Sequence, residues 1–464
     1  MAKGRYDVSS EVIEGQALQE RAPALQNSAQ RYITVPATTG NPLELTEEVA
    51  CKHILSMGSI GSGKTNCMFH ILRAIVAALR RIDRMIIFDA KGDYEEEFRT
   101  EGDIVIGGAS GRSEEIWNIF ADLMDSPNEA PDMQLLRQLA TTLFDKQIKT
   151  SNNPAFPSGA RDLFVGLTLA FIRREQRKGT ASWATLNNRT LKHFFANEVS
   201  DPARIAELIA EHPDLKWLKM YILSPQSATT QSYLAPLQAV VNEMFIGCFE
   251  QAGSFSIRKY IVSGGTGKVF ISYDAEYGCM MDAIYTVLLD MAMRQAIGRS
   301  ARNGGSIFFS LDELPMLPAL TYLDQCLNFG RSLGVKVIAG IQNSSQMDEK
   351  YGEARAASVL SGFSTYLCFH LFDEKSRILV KERHGKNLKR ISCMQLNGQN
   401  DTEVLQQFDV IEDWDITQLD KGRCIVSLPE GEPFRFHPLK YEPKKKDGQK
   451  KPTSNFHITL VRKK

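Results

Sequence analysis

The sequence predicts an α/β protein with a central, mostly parallel sheet and an all-α domain inserted into it. Three observations carry that expectation. Gly58-Ser59-Ile60-Gly61-Ser62-Gly63-Lys64-Thr65 matches G-x-x-x-x-G-K-[ST], the phosphate-binding loop. Short apolar runs ending in acids, Arg84-Met85-Ile86-Ile87-Phe88-Asp89 and Ile307-Phe308-Phe309-Ser310-Leu311-Asp312-Glu313, alternate with helical patterns, the texture of buried parallel strands. Between those runs, 117–250 reads as helices alone.

The glycine loop sits in the context its chemistry requires. Cys51-Lys52-His53-Ile54-Leu55-Ser56-Met57 reads as a strand leading into it. Met68, Ile71, Leu72, Ile75, Val76 and Leu79 mark one face of a helix behind it. Glycines let successive backbone N–H groups turn inward around phosphates, and a helix N-terminus adds partial positive charge. On this reading residues 58–65 bind a nucleoside triphosphate, expected to be ATP. Lys64 reaches the β- and γ-phosphates and the Thr65 hydroxyl holds Mg²⁺.

Composition is that of an ordinary soluble protein, with 43% hydrophobic and 24% charged residues and a net charge of zero. A length of 464 residues suggests two or three domains. From Lys440 to Lys464 nine Lys/Arg face two acids, a balance of +7. The eight cysteines form no C-x-x-C pair, which argues against zinc and for reduced thiols. No signal peptide opens the chain and no run approaches ~20 uninterrupted apolar residues. The chain is therefore expected to be soluble and cytoplasmic.

Taken in order, 1–31 is a polar arm, expected to be a loose helix or a segment ordered by a partner. Residues 32–116 form the first part of the nucleotide-binding domain and 117–250 the all-α insert. Residues 251–440 complete the nucleotide-binding domain, with expected strands at 268–273, 307–313, 335–341, 365–371 and 423–428 separated by helices. Residues 441–464 are a basic tail.

Asp312 and Glu313 close an apolar strand, the Walker B pattern. Asp312 is placed to position Mg²⁺ or its waters, and Glu313 to orient or deprotonate the attacking water. Gln342 ends the run Val337-Ile338-Ala339-Gly340-Ile341, where an amide can report the γ-phosphate or simply terminate a strand. Arg331 ends the helix after Walker B and reads either as an arginine finger for a neighbouring subunit or as a helix-end arginine; Arg299 and Arg302 compete for the finger role. In the tail, Lys444, Lys445, Lys446, Lys450 and Lys451 suit either DNA contact through counterion release or solubility.

These blocks resemble the coupling ATPases of conjugative type IV secretion systems, the TraD/TrwB group. The likeness rests on the glycine loop, Arg84 to Asp89 with Gly92-Asp93, and Trp117-Asn118. It continues through Gly253-Ser254-Phe255-Ser256-Ile257-Arg258, Leu311-Asp312-Glu313-Leu314, Gly330-Arg331 and Gly340-Ile341-Gln342-Asn343-Ser344-Ser345-Gln346-Met347, extending over about 32–440. The resemblance implies a RecA-like P-loop domain carrying an all-α domain, assembled as a homohexameric ring. It implies ATP-driven movement of DNA, a relaxase partner, type IV secretion components, and Arg331 acting in trans. Typical members carry two N-terminal transmembrane helices, whereas this sequence shows none; a separate membrane anchor that recruits it to the inner face of the cytoplasmic membrane is one expectation. A soluble FtsK/HerA-like DNA-processing or defence ATPase and an ATP-gated scaffold for protein cargo are the alternatives.

Overall fold

The computed structural model describes residues 7–24, 31–107, 115–222, 224, 227–263, 267–274, 278–299, 305–394 and 402–443. Its centre is a nine-stranded sheet. The strands flanking it in sequence come first: β1 (Asp7–Glu14), β2 (Arg31–Val35) and β3 (Leu43–Thr46). The main sheet is built from β4 (Ile54–Met57), β5 (Arg84–Asp89), β6 (Ile104–Gly107), β7 (Val269–Ser272), β8 (Ile307–Leu311), β9 (Val335–Ile341) and β10 (Thr365–Cys368). β11 (Lys386–Met394) and β12 (Thr402–Asp409) lie outside it, and β13 (Cys424–Ser427) and β14 (Phe434–Phe436) complete it.

The order is β14-β13-β10-β4-β9-β8-β5-β7-β6. From β10 to β6 every neighbouring pair is parallel, and β13 and β14 add on antiparallel. Strands buried on both faces need apolar residues at successive positions, which is why β4, β5 and β9 are buried throughout. Alternation then sends Ile86 and Phe88 to one core and Met85 and Ile87 to the other.

Helices between β6 and β7 form a separate layer, with Met133–Thr150, Ala155–Arg177 and Ala228–Met244 at its centre. Ala155–Arg177 is long and apolar enough to cross a membrane by length and composition, yet 72% of its apolar window is buried among the other helices. Its Leu163, Phe164 and Leu167 share one hydrophobic core with the sheet face that carries Phe88.

The chain enters and leaves this layer through a neck made of polar side chains. Asn118 and Phe255 exchange backbone contacts, with Asn118 N–H donating to Phe255 O at 2.9 Å and Phe255 N–H to Ile116 O at 3.1 Å. The Asn118 amide donates to Leu186 O and Gly253 O, and Asn188 donates to Trp117 O and Phe249 O. Asp122 accepts from the Trp117 indole at 2.6 Å, Ser256 Oγ at 2.5 Å and Arg258 N–H at 2.9 Å. Each of these groups would be costly to bury unpaired, and the neck supplies each of them with a partner, while Arg258 Nε stays buried without one among the described residues.

The N-terminal residues differ from the loose helix expected of them. β1 is a strand and pairs antiparallel with β11, which pairs with β12 in a separate three-stranded sheet. Residues 17–22 then run along β14, with Gln19 N–H donating to Pro433 O and Arg435 N–H to Gln19 O, both at 2.8 Å. Lys386–Met394 and Thr402–Asp409 are likewise strands, although both are rich in charged and polar residues. The last helix of the insert ends at Met244 and a 3₁₀ turn, Gly247–Glu250, follows. Of the basic tail, 444–464 lies outside the described residues, as does Arg302.

His53, just before β4, holds the sheet to its helices. It has φ 61° and is buried. Its Nδ1 accepts from Val337 N–H at 3.0 Å, so its Nε2–H donates to Leu327 O at 3.1 Å. Burial pushes its pKa down to about 4. The folded chain therefore binds fewer protons than the unfolded one between pH 6.5 and about 4, and this stabilisation is lost as pH falls through that window. The loss amounts to roughly 3 kcal/mol. In urea unfolding, His53→Asn is expected to lower stability at pH 7.5 and to flatten the pH dependence between 6.5 and 4; an unchanged slope would refute the assignment.

Candidate nucleotide site

The glycine loop is held from both sides by backbone. Gly58 N–H donates to Ile341 O at 3.3 Å and Ser59 N–H to His370 O at 2.9 Å. The chain turns through Gly61 at φ 74° and Gly63 at φ 113°, both in the left-handed region that glycine alone adopts freely. A Cβ on Gly63 would also lie 2.7 Å from Gly422 Cα, and Gly422 N–H donates to Ser62 O at 2.8 Å. The helix Lys64–Ala78 starts at once, placing Lys64 and Thr65 in its first turn. The Lys64 ammonium is buried and donates to Gly58 O at 2.5 Å, and burial pushes its pKa down.

Parallel register sets the remaining groups beside this loop. Met57 pairs with Ile341, so Gln342 leaves β9 next to Gly58. Leu311 pairs with Ala339, so Asp312 leaves β8 against Gly340. That approach needs glycine, because a Cβ on Gly340 would meet Asp312 O at 2.2 Å and Asp312 Oδ1 at 2.6 Å.

Asp312 is buried, and burial raises its pKa. Its Oδ2 accepts from the Tyr94 hydroxyl at 2.5 Å. Its Oδ1 is buried and no group among the described residues bonds it. Glu313 Oε2 accepts from Gln342 Nε2 at 3.4 Å, and the Lys91 ammonium lies 4.0 Å from Glu313 Oε1.

These groups border one cleft of about 450 Å³. Ser59, Ile60, Gly61, Gly63, Lys64 and Thr65 form one wall, and Ala90, Lys91, Glu313, Met316 and Gln342 the other. Gly58, Ser62 and Asp312 lie behind this lining. Arg331 is not brought here. It lies on Gly330–Leu333, before β9 and hence at the N-terminal ends of the parallel strands, away from the cleft, with its side chain 53% exposed and 3.3 Å from Glu48. Arg299 is occupied structurally, donating to Leu333 O at 2.8 Å.

Lys91 and Tyr94 were not singled out from sequence. Asp89 creates their loop by accepting from Lys91 N–H at 3.3 Å, Gly92 N–H at 2.8 Å and Glu95 N–H at 2.7 Å. The local signal was the Gly92-Asp93 pair behind a strand-ending acid, a turn followed by a helix start.

Sheet order and the placement of the loop at the end of β4 define the P-loop NTPase class in its RecA-like form, with a helical domain added. Within that class the chain belongs to the family described as the type IV secretion-system coupling protein DNA-binding domain, which matches residues 37–436. Coupling protein TraD of Escherichia coli K12 is 20% identical over 406 residues, covering 84% of this chain and 52% of TraD. The chain thus spans about half the length of that relative. The conjugative coupling protein TrwB, in its unbound ΔN70 form, matches with a TM-score of 0.69 and 19% identity over 90% of this chain and 91% of that one. TrwB in complex with ADP and Mg²⁺ matches with a TM-score of 0.68 and 18% identity over 96% and 97%. VirB4 of Thermoanaerobacter pseudethanolicus is more distant, with a TM-score of 0.53 and 13% identity over 89% and 97%.

The close approach of β9 to Asp312 is open to a direct check. Gly340→Ala is expected to cost on the order of 1–3 kcal/mol by overpacking, read as a shift in the urea midpoint with an unchanged slope. A variant as stable as the parent would show that the strands separate freely there.

Proposed function

We propose that the chain is a DNA-stimulated ATPase motor of the coupling type. It works as a homohexameric ring that recruits a relaxase–DNA complex and moves DNA towards a type IV secretion channel. The observation that carries this reading is the cleft in which Lys64, Thr65, Glu313 and Gln342 meet, with buried Asp312 next to Glu313 in the chain. Family membership supports DNA as the partner.

In this mechanism the loop from Gly58 to Thr65 cradles the phosphates of ATP, and Lys64 offsets charge on the β- and γ-phosphates. Mg²⁺ fits the donor set, because the Asp312 Oδ1 is a buried oxygen without a partner among the described residues and Thr65 borders the cleft. When bound it neutralises phosphate charge. Glu313 orients and deprotonates the attacking water. Gln342 holds Glu313 through its amide and links it to the γ-phosphate. Arg331, exposed at the opposite ends of the strands, serves the site of a neighbouring copy. Cytoplasmic location, with recruitment to the inner face of the cytoplasmic membrane, accords with this role.

Steady-state turnover with and without single- and double-stranded DNA tests the proposal. DNA stimulation that disappears in Lys64→Ala is the expected result; turnover indifferent to DNA would favour a scaffold for protein cargo. Glu313→Gln should lower turnover about 100-fold or more while nucleotide still binds. Arg331→Ala should lose roughly 1000-fold in kcat, and mixing it with Glu313→Gln should restore activity at interfaces that combine intact halves. No recovery on mixing would place Arg331 outside the reaction.

A further inference from the structure

We propose that Tyr94 is a positioning residue for Mg²⁺: its hydroxyl occupies Asp312 Oδ2 so that Oδ1 alone is presented to the cation. This rests on the reading of the cleft as a Mg²⁺–nucleotide site. A free carboxylate has two equivalent oxygens and can turn about χ2, so it can bind a cation in one-oxygen or two-oxygen modes. At Asp312 the two oxygens are made different. Oδ2 takes a 2.5 Å bond from Tyr94, while Oδ1 is buried with no bond from any described residue. A Cβ at position 340 would lie 2.6 Å from Oδ1, so glycine there keeps that side of the carboxylate clear.

The phenol is itself fixed. Its ring lies 5.0 Å from Phe69, on the helix that follows the glycine loop, and 6.4 Å from Phe98. Tyr94 also lies two residues beyond Gly92, whose N–H Asp89 holds. One short segment thus joins the glycine-loop helix, the strand-ending Asp89 and the Walker B acid. Because Mg²⁺ tolerates little departure from octahedral geometry, removing the hydroxyl should weaken its retention without disturbing the phosphate loop.

The test is binding of a fluorescent ATP analogue titrated with Mg²⁺, together with Mn²⁺ binding followed by electron paramagnetic resonance. Tyr94→Phe should bind the analogue without Mg²⁺ as the parent does, but need about tenfold more Mg²⁺ or Mn²⁺ for half-saturation, roughly the worth of one hydrogen bond to a charged group. Phe144→Leu, in the core of the helical layer and away from Tyr94, separates stability from positioning. It should lose stability and leave the cation requirement unchanged. An unchanged requirement in Tyr94→Phe, or an equal shift in Phe144→Leu, overturns the inference and leaves the nucleotide site standing. A parent protein that binds the analogue with no dependence on divalent cation overturns both.

Discussion

The parallel pairing of three adjacent strands, β4, β9 and β8, is the constraint on which the rest of this molecule depends. Backbone hydrogen bonds place Met57 beside Ile341 and Leu311 beside Ala339. Because side chains alternate faces, a slip of one residue would turn Leu55 and Met57 away from their core. The hydrophobic pattern therefore locks the pairing, and the pairing locks the distance between glycine loop, amide and acid pair. No side chain in the cleft has to find its neighbours independently.

Burial of charge is the second organising theme, and each instance is offset locally. Lys64 sits against a loop carbonyl, Asp312 against a phenol, Asp89 against three backbone N–H groups. Desolvation nonetheless leaves Lys64 with a lowered pKa and both carboxyls with raised ones. Such residual frustration is ordinary at sites built to receive a charged ligand, since the ligand completes the compensation.

Much of this was legible in the sequence because the decisive groups are local to strand ends. The glycine loop, Asp312, Glu313 and Gln342 each follow a short apolar run, and chemistry plus spacing marks them. The Tyr94–Asp312 bond joins residues 218 positions apart, and no local pattern encodes it. β1 was missed for a related reason. Asp7-Val8-Ser9-Ser10-Glu11-Val12-Ile13-Glu14 is too polar to signal a strand, and its partner β11 is set by contacts far along the chain. The Trp117-Asn118 and Gly253 to Arg258 blocks were visible as motifs, but their use as a neck required seeing both ends together.

That neck bears on how the chain folds. β6 and β7 are adjacent in the sheet, yet one ends at Gly107 and the other begins at Val269. Joining them through an unstructured connection would carry the closure entropy of the whole intervening segment. Once the helical layer has folded and Asn118 has met Phe255, the effective connection shrinks to the short stretches on either side. Closure cost grows as about (3/2)RT ln n, so the saving is roughly 2 kcal/mol. The helical layer thus works as a splint, bringing distant halves of the sheet within reach and converting a slow long-range pairing into a nearly local one.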